Sequence, residues 1–269
     1  MAKTKKREKI LPDTGVGASF ETESLRQGLR RLYDMVPSKS DGAPLLTRTK
    51  KGRGKNAVDR QVPVPLGAFT RGVYAFFDYE NSPIYVGQTR EKVSGRIGRH
   101  LTNQRTDAVA MSVLDPFEVC YVTVWPLPDL QDEKASDPIV IKELNRLERA
   151  VFNSLKGDGQ YPILLNEKDP PIADALTDLP QEFSQKILPD DLIIIRGHPD
   201  TRIARRALTI SRLAQVISER ELKGTGLRRA LVVQALRLQA LSEARFMDAG
   251  GQAQVIKREA KEGEDEKGE

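Results

Sequence analysis

The sequence predicts an α+β fold: a small antiparallel three-stranded sheet flanked by helices, with an added N-terminal helix and a C-terminal helical hairpin. Three observations carry this. Two β-branched and aromatic runs, Val73–Phe77 and Ile84–Val86, flank the turn-forming stretch Asp78-Tyr79-Glu80-Asn81-Ser82-Pro83, which is hairpin chemistry. A third run, Phe117–Trp125, alternates Val119, Tyr121 and Thr123 with Cys120, Val122 and Val124. Apolar residues recur at helical spacing in four longer segments.

Taken in order, residues 1–18 are polar and glycine-containing and are expected to be mobile. A helix over Thr22–Val36 follows from the stripe Leu25, Leu29, Leu32, Tyr33 and Val36. The run from Thr47 to Asn56 is basic and broken by Gly52 and Gly54, so it reads either as an arm that wraps a polyanion or as a flexible linker. In the hairpin, alternation puts Val73, Ala75 and Phe77 on one face and Tyr74 and Phe76 on the other, while Ile84 and Val86 oppose Tyr85. One tyrosine from each strand can therefore share a face. Beyond Gly87-Gln88-Thr89, Lys92, Arg96 and His100 recur every four residues along one helical face, with Ile97 and Leu101 on the other side.

Glu148 interrupts the next apolar stripe, Ile141, Leu144, Val151, Phe152 and Leu155, and so is expected to face the core. An ionised carboxylate there needs a cation, a hydrogen-bond network or a divalent metal. The extended segment Tyr161–Asn166 ends in an amide able to hold nearby backbone or a site residue. After a Pro- and Asp-rich stretch, Leu192–Ile195 reads as one more strand. Two amphipathic helices, Thr201–Glu221 and Gly226–Phe246, then form the hairpin around Lys223-Gly224-Thr225. The organisation expected is a basic arm and helix over 1–65, a compact core over 66–170, an extension with the hairpin over 171–247, and a disordered tail over 248–269.

The net charge of +5 conceals segregation: residues 1–55 carry +8, residues 115–191 carry −9 and residues 200–247 carry +6. Basic blocks at both ends suit a phosphate backbone, with Arg53, Lys55, Arg205 and Arg206 the expected contacts. The apolar faces of the hairpin could equally pair two subunits into a homodimer, and the pattern leaves both open. No apolar run approaches the ~20 residues of a membrane span. With one cysteine, Cys120, and no apolar stretch near Met1, a soluble, cytoplasmic chain is expected, nucleoid-associated when bound to DNA.

The tripeptides Gly72-Val73-Tyr74 and Tyr85-Val86-Gly87, then Arg96 and His100, with Glu148 and Asn166 downstream, resemble the GIY-YIG nuclease superfamily, in particular a restriction-endonuclease-like member. The resemblance covers roughly 100 residues. It implies a DNA endonuclease acting on double-stranded DNA with one Mg²⁺ or Mn²⁺ per active site, leaving 5′-phosphate and 3′-hydroxyl ends, of restriction or phage-defence type. A repair or recombination nuclease, or a catalytically silent DNA-binding protein on the same fold, is the alternative. It further implies that Glu148 binds the metal, Tyr74 takes a proton from the attacking water, Arg96 stabilises the phosphorane, and His100 and Tyr85 relay a proton or position water or phosphate. Lys92 and Asn166 would support them. Gln88 stands where many relatives have lysine.

Overall fold

The computed structural model of the protein describes residues 16–51, 58–102, 113–158, 164–219 and 224–251. Most of the N-terminal segment expected to be mobile and nearly all of the tail expected to be disordered lie outside these, as do Arg53 and Lys55.

Helix α1 (Val16–Asp34) buries Leu25, Leu29 and Leu32, whose spacing keeps them on one face, and ends before Val36, which is left exposed. The basic run that follows is no linker in its described part. Strand β1 (Thr47–Lys50) pairs antiparallel with β2 (Arg60–Pro63) in a two-stranded ribbon. A short 3₁₀ turn, Leu66–Ala68, then leads into the main sheet.

That sheet contains β3 (Gly72–Phe77), β4 (Pro83–Thr89), β5 (Tyr121–Pro126) and β6 (Phe183–Lys186) in the order β4-β3-β5-β6, all antiparallel. It has four strands where three were expected. The fourth, Phe-Ser-Gln-Lys, has a single apolar residue and no alternation to detect; its place is fixed by backbone pairing with the open edge of β5. The expected strand at Leu192–Ile195 is instead a helix. Pro189 precedes two aspartates in its first turn and Arg196 closes its last, the charge order a helix dipole favours. Only Leu192 of that apolar run is buried, while Ile194 and Ile195 face solvent.

The remaining helices are α2 (Val93–Leu101), α3 (Pro138–Asp158), α4 (Asp190–Arg196), α5 (Pro199–Glu219) and α6 (Gly226–Asp248). The sheet separates two apolar clusters. Tyr74, Phe76, Val122 and Val124 pack in one with α1, α2, α5 and α6; Val73, Ala75, Phe77, Val86 and Trp125 pack in the other with Leu147, Val151 and Phe152 of α3. The predicted alternation along β3 is what divides them. Ile84 departs from it: a register shift between Phe76 and Phe77 places it in the first cluster rather than with Val86.

The C-terminal hairpin docks through arginines as well as apolar residues. Arg206 is buried and donates to Glu118 at 2.8 Å and to the Arg237 carbonyl at 2.8 Å. Arg205 is tied to Asp115 at 2.9 Å and to Glu118 at 2.5 Å. Arg202 forks onto Glu80 while lying 4.4 Å above the Tyr79 ring, and Arg237 holds Asp78 at 2.5 Å. The structure therefore spends Arg205 and Arg206 on the fold, where phosphate contact had been expected. The expectation failed because helical spacing records which residues share a face but not whether that face meets solvent or carboxylates.

Truncating one partner of a buried ion pair leaves the other charged and unpaired. Arg206→Ala should lower unfolding free energy by about 3–5 kcal/mol, measured by urea denaturation.

Candidate active site

The register of β3 against β4 sets Tyr74 opposite Gly87 and Phe76 opposite Tyr85, so both tyrosines lie on one face, as predicted. The Tyr74 and Tyr85 ring centroids are 6.2 Å apart, and each lies within 6 Å of the His100 ring. The motif glycines have a steric cause. A Cβ on Gly87 would sit 2.7 Å from the Tyr74 hydroxyl oxygen, and one on Gly72 would sit 2.8 Å from the Trp125 carbonyl oxygen. A larger residue would have to displace the tyrosine rings at the first place and the backbone of β5 at the second.

Helix α2 begins where the Val93 N–H donates to the Phe69 carbonyl at 2.8 Å, which aims one face of the helix at β3. Val93, Ile97 and Leu101 bury the core side. On the other, the Arg96 Nε donates to the Tyr74 hydroxyl at 3.2 Å, and that hydroxyl lies 3.0 Å from His100 Nε2. Lys92 stands exposed at the N-cap, with no bond to these groups found among the described residues.

Glu148 reaches the site from the opposite side of the sheet. Leu144, Leu147, Val151 and Phe152 fill the core beside it, but Glu148 itself is half-buried at the rim, a correction to the fully core-facing carboxylate expected. Gln88 Nε2 donates to Glu148 Oε2 at 2.9 Å and to Asn145 Oδ1 at 2.8 Å, fixing the carboxylate over the edge of β4. Sequence reasoning saw Gln88 only as a missing charge, and missed Asn145 altogether. Its position three residues before Glu148, on the same helical face, was the available signal. Asn166, buried, accepts from the Val86 N–H at 3.1 Å and donates to the Val86 carbonyl at 2.7 Å. It completes the edge strand's backbone bonds much as another strand would.

A cleft of about 440 Å³ opens here, lined by Tyr85, His100, Glu148, Asn166, Glu167 and Lys168 among others. Burial pushes the Tyr74 phenol well above its ordinary range, with Tyr85 adding to the rise; the charge and hydrogen bond of Arg96 oppose it without prevailing. Burial also disfavours the Arg96 charge, yet Tyr74, Tyr85 and Glu148 around it hold its pKa above normal. For Glu148, burial raises the pKa against the bonds from Gln88 and the charge of Arg96.

No cluster of three metal-ligating side chains occurs among the described residues. A single carboxylate held rigidly beside an open cleft nevertheless suits Mg²⁺, which keeps several waters and takes one or two protein carboxylates plus substrate oxygens. The chemistry of Glu148 fits that ion.

The raised pKa makes Glu148 a source of pH dependence. Its folded pKa lies above the unfolded value of 4.5, so between the two the folded state binds more protons. Stability of the metal-free protein should fall as pH rises through that window and stay lowered above it. Glu148→Gln should thus raise the melting temperature at pH 7 and lose the advantage at pH 4, measured by thermal unfolding in EDTA. An equal effect at both pH values would contradict the origin given.

Residues 70–135 match the family model of the GIY-YIG catalytic domain, a segment that holds the tyrosines, Arg96 and His100 and ends before Glu148. No curated protein and no solved structure gives a match. Among the described residues no helix is long and apolar enough to cross a membrane.

Proposed function

Residues 70–135 match the model of the GIY-YIG catalytic domain, and from that premise we propose that the chain is a divalent-metal-dependent endonuclease of double-stranded DNA. It hydrolyses the phosphodiester to 5′-phosphate and 3′-hydroxyl ends and serves a restriction or phage-defence role. The observation that carries the catalytic reading is the Tyr74 hydroxyl, buried between Arg96 Nε and His100 Nε2 on the flank of a cleft that Glu148 also lines. A purely DNA-binding protein gains nothing from a half-buried carboxylate facing phosphate. The exposed basic ribbon ahead of the core favours a self-sufficient restriction-type enzyme over a partner-dependent repair subunit.

Glu148 would hold one Mg²⁺ or Mn²⁺, with Gln88 keeping the carboxylate oriented. When bound, that ion supplies Lewis acidity to a non-bridging phosphate oxygen and to the leaving oxygen. The chain's own residues handle the proton. Because burial disfavours a standing Tyr74 phenolate, Tyr74 accepts the water proton at its hydroxyl oxygen only as it passes its own proton to His100 Nε2. This requires the His100 tautomer with Nε2 unprotonated. Arg96 steadies the hydroxyl through Nε, leaving its terminal nitrogens to meet the charge growing on the phosphorane. Tyr85, on the cleft wall, orients phosphate or water.

The test is cleavage of plasmid in Mg²⁺ with end mapping. Tyr74→Phe and His100→Ala should each slow the single-turnover step by about 10²-fold. If the two act as one relay, the double variant should be scarcely slower than either single one. Multiplied losses would show two independent roles. Glu148→Gln should abolish cleavage while DNA affinity holds or tightens, since a negative charge near phosphate is gone; retained Mg²⁺-dependent cleavage would remove Glu148 from the metal site.

A further inference from the structure

We propose that the β1–β2 ribbon is a DNA-gripping arm whose cationic face, formed by Arg48, Lys50 and Arg60, straddles the phosphates of duplex DNA. Residues directly opposite each other in an antiparallel pair share a face, as do residues two apart along a strand. Arg48 lies opposite Val62 and Lys50 opposite Arg60, so these four form one face. Thr47, Thr49, Gln61 and Pro63 form the other, and the 2.8 Å bond from Gln61 Nε2 to Thr49 Oγ1 marks it. One side of the ribbon is therefore cationic and the other neutral.

The cationic face is poorly matched to the protein itself. Seven of the eight ribbon residues are exposed, and Val62, opposite Arg48, is the half-buried one. Among the described residues no ion pair engages Arg48, Lys50 or Arg60. Asp59, the adjacent carboxylate, lies outside the paired positions. Like charges set directly opposite, here Lys50 and Arg60, destabilise a ribbon, and two strands alone are marginal in water. A polyanion lying along the face removes the repulsion.

The root couples the ribbon to the site. The Val64 N–H donates to the Leu46 carbonyl at 3.0 Å, and Leu66 and Phe69 are buried in the core. The Phe69 carbonyl in turn receives the first amide of α2, which carries Arg96 and His100. DNA held by the ribbon is thus indexed to the helix that would meet the scissile phosphate. A B-form major groove about 12 Å wide admits a two-stranded ribbon, whereas the deep, narrow major groove of duplex RNA does not. The choice of duplex DNA rests on the nuclease reading above.

The test uses full-length protein in EDTA, where binding is read without cleavage, with a duplex DNA of fixed sequence titrated across salt concentrations. The triple variant Arg48→Ala/Lys50→Ala/Arg60→Ala should bind at least ~10-fold more weakly at 0.1 M salt and flatten the slope of log affinity against log salt by up to about 2.7, or about 0.9 per lost contact. Thr49→Ala/Gln61→Ala, on the neutral face, should keep the wild-type slope. Melting temperatures of both variants should match wild type, because neither face is buried. An unchanged slope in the triple variant overturns the proposal, and so does equal competition by a duplex RNA of the same length. If wild-type protein cuts no DNA in Mg²⁺ yet the slope changes as stated, the nuclease reading falls and the ribbon assignment stands. Cleavage with an unchanged slope overturns the ribbon assignment and leaves the nuclease reading in place.

Discussion

The close approach of Tyr74 to Gly87 is the constraint from which the site follows. A fully buried phenol can lie over the neighbouring strand only because the facing residue on β4 has no side chain, and its hydroxyl is tolerable there only because Arg96 and His100 satisfy it. A slip of one residue in register would turn Tyr74 toward the apolar packing of α3, away from both partners. Gly72 enforces the same register from the other side by letting β3 press against the Trp125 carbonyl. The two tripeptides therefore act as paired steric conditions on one hairpin, and the placement of α2 and the cleft depends on both.

The C-terminal hairpin secures the far end of that β-hairpin. Asp78 Oδ1 accepts the amides of Glu80 and Ser82 at 3.1 and 2.9 Å, while Asn81 takes the left-handed conformation that closes the turn. Its other oxygen is held by Arg237 from α6. Arg202, Arg205 and Arg206 bind Glu80, Asp115 and Glu118 in the turn and in the entry to β5. The helices thus grip the turn that joins the strands carrying the tyrosines. Such a network adds little net stability over an apolar contact, but loss of a single member is costly, and it permits one docking geometry.

Much of this was legible because it is local. Alternation in β3, the four-residue spacing of Arg96 and His100, and the helical stripe around Glu148 each describe one element, and the structure assembles those elements as read. What escaped depended on other parts of the chain. Strand β6 exists because β5 has an open edge, not because Phe183–Lys186 looks like a strand. The arginines of α5 were read as DNA contacts because their carboxylate partners lie some 80 to 120 residues away in sequence. Gln88 looked like a lost cation, and its function as a clamp on Glu148 is visible only once α3 crosses β4. Burial of Tyr74 is likewise a property of the assembled fold, and there desolvation outweighs the charge of Arg96.

The charge segregation then acquires a physical role. The acidic stretch 115–191 supplies Glu148, and with it Glu167 and Asp169 of the cleft wall; Asp169 is paired with Arg229 at 2.7 Å, while the charges of Glu148 and Glu167 oppose an incoming phosphodiester. On the proposed mechanism a cation on Glu148 relieves two penalties together, the cost of a half-buried carboxylate and the repulsion of the incoming phosphate. Metal and DNA should consequently strengthen each other's binding, because a coupling free energy is reciprocal between sites. Attraction of DNA in the absence of metal must come from outside the cleft. With Arg202, Arg205, Arg206 and Arg237 of the hairpin committed to internal carboxylates, the ribbon is a described element whose exposed cationic face can provide it. On these proposals affinity and chemistry are divided between two surfaces joined through Phe69 and α2.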